Sequence, residues 1–129
     1  MKQANVYVII SLVFFIIIGV GFAYSYFFYP NTHPVDCIVK SYTGVDCPTC
    51  GFSRSFSHYS HFEFGLGRNF NKLSWPVFLF FAAQFFLRSS VVAYYYCGVK
   101  KFSNTFVAVD IIISISTFLL AFLPIILKF

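Results

Sequence analysis

The sequence is poor in charge: only 10% of its 129 residues are Asp, Glu, Lys or Arg, where a soluble domain carries about a quarter. A soluble fold of this length would have to hide nearly all of its 20 Phe, with no polar face long enough to cover them. Lipid is therefore the expected solvent. Basic runs are also missing. The net charge of +5 is spread over Lys2, Lys40, Arg54, Arg68, Lys72, Arg88, Lys100, Lys101 and Lys128. With no basic stripe on any one element, nucleic acid is excluded as a partner, and contact with anionic lipid head groups at helix ends accounts for the charge. Four cysteines are too few for a disulfide scaffold. No alternation of strand and helix patterns surrounds them, which excludes a thioredoxin fold, and the length leaves no room for a separate catalytic domain.

What is present is an all-α membrane protein in one polytopic domain covering residues 1–129. Three transmembrane helices are expected at about 6–29, 74–97 and 105–127, with a short amphipathic surface helix in the first loop, residues 30–72. Some 24 residues of helix reach about 36 Å, enough for a ~30 Å hydrocarbon layer. Tyr24, Tyr26, Phe27, Phe28 and Tyr29 close the first span as an interfacial belt before Pro30. Gly21-Phe22-Ala23 resembles a cleavage site, but the apolar stretch is longer than a signal peptide needs. Gly19 and Ala23, four apart, offer a flat face to a partner helix. The second span is apolar only from Ser74 to Leu87 and reaches full length if Arg88 is tolerated. Positive residues divide five against three or four, which leans toward a cytoplasmic cysteine loop.

The first loop carries Cys37, Cys47 and Cys50 and all three histidines. Thr43-Gly44 marks a turn. From Gly51 the pattern is helical: Phe52, Phe56 and Tyr59 share one face, Ser53, Ser57, Ser60 and His61 the other, and Gly65 and Gly67 end it.

Cys47-Pro48-Thr49-Cys50-Gly51 concentrates the reactive chemistry. Gly51 lets the chain bend into the helix, whose positive N-terminal end favours thiolate, the form that binds metal or attacks a disulfide. The metal reading takes Cys47 and Cys50 as a two-thiolate knuckle and completes a tetrahedral zinc site from Cys37, His58 and His61. His58 and His61, three apart, share a helix face, although this spacing is shorter than in common small zinc sites. The redox reading makes Cys47 and Cys50 an exchanging pair in a membrane thiol-disulfide enzyme or sensor, relayed through Cys37 or Cys97. The plain alternative is a structural disulfide or inert thiols. Arg54, one turn after Cys50, can steady a thiolate or grip a lipid phosphate, or be a solvated charge. Cys97 reads as an apolar filler near the interface.

Arg88 and Asp110 are the ionisable residues expected within the membrane, at depths an Arg side chain can bridge between antiparallel helices. Such charges are functional candidates, yet an ion pair that fixes helix packing is the commoner outcome.

The string from Cys37 to Phe56 resembles the domain of unknown function 2752 family of small bacterial membrane proteins. Its Cys, Thr-Gly and Cys-Pro-x-Cys-Gly-x-x-Arg elements correspond to Cys37, Thr43, Gly44, Cys47, Pro48, Cys50, Gly51 and Arg54. Ser74-Trp75-Pro76 stands where an Asn-Pro element is expected, and His58 and His61 lie outside the pattern. The resemblance extends to about Leu87 and implies that Cys37, Cys47 and Cys50 act as one unit. Together these features describe a non-enzymatic membrane subunit, adaptor or homo-oligomeric component with a structural, zinc-compatible cysteine loop. A thiol redox enzyme is the alternative. An oligomeric pore is a third reading, with Ser114 and Thr117 too few for a polar lining.

Overall fold

The computed structural model describes residues 2–28, 38–44, 51–98 and 102–127. Within them the chain is helical: α1 (Lys2–Phe27), α2 (Ile38–Thr43), α3 (Phe52–Ser60), α4 (Phe64–Phe70), α5 (Ser74–Tyr96) and α6 (Asn104–Ile126). Three helices are long and apolar enough to cross a membrane, Val6–Phe27, Ser74–Tyr96 and Asn104–Ile126. These match the expected spans to within two residues at each described end. The chain is thus an integral membrane protein.

α5 is the hub, packing on α1, α3, α4 and α6, whereas the backbones of α1 and α6 do not come within 8 Å of each other. The face α1 presents to α5 follows a three–four spacing: Val8, Ser11, Ile18 and Ser25 are buried, with Phe15 and Phe22 half-buried between them. Phe15 stacks on Phe85 at 4.8 Å, and Phe22 meets Phe78 and Phe85 edge-on. A Cβ on Gly19 would stand 3.5 Å from the Phe85 ring, so the close partner of this small residue is α5 of the same chain. Ala23 is exposed. The outward faces of α1 and α6 are exposed Val, Ile, Leu and Phe, as contact with lipid tails requires.

α5 starts cleanly because Pro76 sits in its first turn, where a missing N–H costs no helical bond. Ser103 caps α6, its hydroxyl accepting from the Thr105 N–H at 3.3 Å. Pro124 lies in the last turn of α6.

Two expectations about the first loop are corrected. α3 does not end at Gly65 and Gly67, which lie inside α4. It ends at Phe62, φ 63°, where Glu63 N–H bonds to His58 O at 2.9 Å and Phe62 N–H to Tyr59 O at 3.0 Å. That is the Schellman pattern, with Phe in the left-handed position that glycine usually takes. The face opposite the aromatic row is only partly open: Ser53 is exposed, but Ser57 is fully buried, as is Ser55 outside that row. Small hydroxyls permit close helix approach while satisfying carbonyls that would otherwise be orphaned.

Candidate functional site

The chain's reactive residues fall into two places, one at the Ser74 end of α5 and one past its middle, around Arg88. The first is a platform made by α3 and α4 against the Ser74 end. Gly51 enters α3 with φ 85°, a conformation that side chains disfavour, and a Cβ there would stand 3.2 Å from Phe70 O. The residue after the cysteine turn thereby packs closely on α4. Gly67 is required by contact rather than by a turn, since a Cβ there would overlap the Tyr59 ring, 2.3 Å from Cε1. Ser55 donates to Gly67 O at 2.8 Å, and Ser57 donates at 2.5 Å to Phe28 O, at the end of α1. Tyr59, almost wholly buried, bonds Ser74 Oγ at 2.9 Å, and Ser74 donates on to Asn71 O. Because the Ser74 proton is committed to Asn71, the Tyr59 hydroxyl is the donor. Around these bonds lie Phe56, Phe64, Trp75 and Phe78, all in ring contact with Tyr59.

Of the expected site residues, Cys37, Cys47, Pro48 and Cys50 lie outside the described residues. Thr43 and Gly44 close α2, with Gly44 at φ 69°. Arg54 is exposed on α3. His58 Nδ1 bonds Glu63 Oε2 at 2.7 Å, and its ring stacks on Phe70 at 5.2 Å. This hydrogen bond joins the two positions that a Schellman end usually links by an apolar contact. His61 Nδ1 bonds Ser57 O at 2.8 Å, and its ring stacks on Tyr26 of α1 at 5.0 Å. The two imidazoles therefore pack on different helices, and Glu63 draws His58 toward the end of α3 remote from Gly51. The helical rise sets His58 about 10 Å and His61 about 15 Å from Gly51. Among the described residues, no group of three or more His, Cys, Asp or Glu is placed to hold a metal.

Cys97 is exposed at the far end of α5. The 23 residues of that helix hold it roughly 35 Å from the Ser74 end where α3 docks. It is out of reach as a relay for thiols beside Gly51.

The second place is a polar junction of all three spans. Arg88 Nη1 pairs with Asp110 Oδ2 at 2.8 Å, the side chains being 11% and 6% exposed. The same carboxylate oxygen accepts from Tyr7 of α1 at 2.8 Å. Arg88 also donates to Ser11 at 3.4 Å, Gln84 Oε1 at 3.3 Å and Ser114 at 2.9 Å. Gln84 Nε2 is buried with no partner among the described residues. Tyr7, Ser11, Gln84 and Ser114 gave no signal as a group in the sequence; a search outward from the Arg88 and Asp110 helix faces would have found Gln84 and Ser114, each four residues away. Thr117 bonds its own helix at Ile113 O, 2.8 Å, and Ser114 serves Arg88, so neither builds a polar stripe.

Residues 37–85 match the family model described as Protein of unknown function (DUF2752). The matched stretch runs from the first loop cysteine through α3 and α4 into α5 and includes the whole platform. No curated protein and no solved structure matches the chain.

Proposed function

We propose that this chain is a non-enzymatic inner-membrane subunit or adaptor that displays a zinc-bound cysteine turn to a partner protein. Carrying this reading is the close packing at Gly51: the residue after the turn approaches Phe70 so closely that a Cβ would stand 3.2 Å from Phe70 O, on helices tied to α1 and α5 through buried serines. A rigid support of this kind suits a turn that serves as structure. In this reading Cys37, Cys47 and Cys50 supply three thiolates, and the fourth ligand comes from outside α3. The site would contribute folding energy to the loop, as structural zinc does.

Elemental analysis of the purified protein should give about one zinc per chain, falling when Cys47→Ser or Cys50→Ser is introduced. A metal-free protein with a disulfide between any two of these cysteines would overturn the reading in favour of thiol exchange. Labelling Cys37 in intact cells with a membrane-impermeant thiol reagent reports which side the loop occupies.

A further inference from the structure

At the cysteine-loop end, α1, α5 and α6 leave between them an apolar groove of about 620 Å³, crossed by α3. Its walls include Gly21 and Phe22 of α1, Phe56 of α3, Phe81 of α5 and Phe122 of α6. A Cβ built on Gly21 meets nothing within 4 Å, so the wall of α1 is cut back there and no side chain among the described residues fills the space beside it.

The dimensions select an occupant. Along α1 the lining runs from Ile17 to Ser25, about 12 Å of helix, which is less than the ~15 Å depth of one leaflet. A spanning helix of a second copy, about 10 Å wide and obliged to continue into the interface, would run into α3 at Phe52 and Phe56. A hydrocarbon chain ends at that level in a head group. Beside the groove-lining Ser53 stands the exposed Arg54, and the described part of α3 and α4 also exposes Arg68. Its acid, Glu63, is engaged by His58. Among the described residues of α3 and α4, two arginines stand against one acid, so this part of the surface carries net positive charge.

We propose that the groove binds one acyl chain of an anionic phospholipid from the leaflet on the cysteine-loop side, with Arg54 beside its phosphate. The binding needs no metal and is separable from the role of the cysteine turn.

The test uses the full chain in nanodiscs containing phosphatidylglycerol with a diazirine in its acyl chain, the adducts being mapped by mass spectrometry. Labelling should concentrate on Phe22, Phe56 and Phe81 relative to Ile112 and Leu120, which are exposed on α6. Gly21→Leu should fill the groove and suppress that labelling while the helical circular dichroism is unchanged. Arg54→Gln should reduce the preference for phosphatidylglycerol over phosphatidylcholine by about fivefold, as expected for one surface charge. Labelling spread evenly over the lipid-facing helices would overturn the proposal. So would equal labelling from phosphatidylcholine, or a crosslinked dimer joined through Phe22 or Phe81. If zinc removal leaves the labelling intact, the groove stands whatever becomes of the metal reading.

Discussion

At its Ser74 end α5 is held to α3 and α4 by aromatic rings with a few hydroxyls threaded between them. About 20 Å further on, at Arg88, it is held to α1 and α6 by an ion pair with a shell of hydroxyl and amide groups. The aromatic end gains contact area and spreads its energy over many weak contacts, so a lost methyl or hydroxyl is absorbed locally. The ionic end concentrates its energy in one bond in a medium where neither partner is tolerable alone. These differences predict how unequal substitutions at the two ends should be.

The largest effect should come from Asp110→Ala, which leaves Arg88 charged and uncompensated among three spans at a cost of about 3–5 kcal/mol. Replacing both partners, Arg88→Leu with Asp110→Leu, should cost far less. Sodium dodecyl sulfate titration of the folded protein in mixed micelles measures both. If the single and double variants lose stability equally, the pair is not the link between the spans.

At the aromatic end the sharpest test is Gly67→Ala. The added methyl would stand 2.3 Å from Tyr59, whose hydroxyl is anchored to Ser74, so the ring cannot withdraw without losing that bond. Overpacking of this kind costs about 1–3 kcal/mol. The same titration should rank Gly67→Ala below Asp110→Ala and well above Gly65→Ala, where a Cβ meets nothing within 4 Å. Equal effects at Gly65 and Gly67 would mean that helix propensity, not the Tyr59 contact, governs α4.

These two ends were not equally legible in the sequence. The three spans announce themselves through apolar length, and the bend at Gly51 follows from its place before a helical pattern. Arg88 and Asp110 stand out because charge is so scarce. Their shell does not: Ser and Gln are ordinary in any helix, and only the packing of α1 and α6 on α5 brings Tyr7, Ser11 and Ser114 to Arg88 and Asp110. The platform misleads for a related reason. A serine row opposite an aromatic row reads as a wet face, and glycines read as breaks, when both in fact allow backbones to meet. Ser57 bonded to Phe28 O and Gly67 set against the Tyr59 ring are one example of each.

The smallest expected effect is also opposite in sign. Phe62 holds a left-handed conformation, φ 63°, with its side chain 82% exposed, so its ring gains little from the protein against the strain of its backbone. Glycine relieves about 1–2 kcal/mol of that strain but frees the unfolded chain, returning part of the gain. Phe62→Gly should therefore stabilise the protein by about 0.5–1 kcal/mol in the same titration. The hydrogen bonds of the turn do not involve the ring, and His58 and Glu63 keep their contact. A loss of stability would show instead that the Phe62 ring is buried in the lipid interface. The platform would then be anchored by the bilayer as well as by α5, and the contrast between its two ends would lie in solvent as much as in bonding.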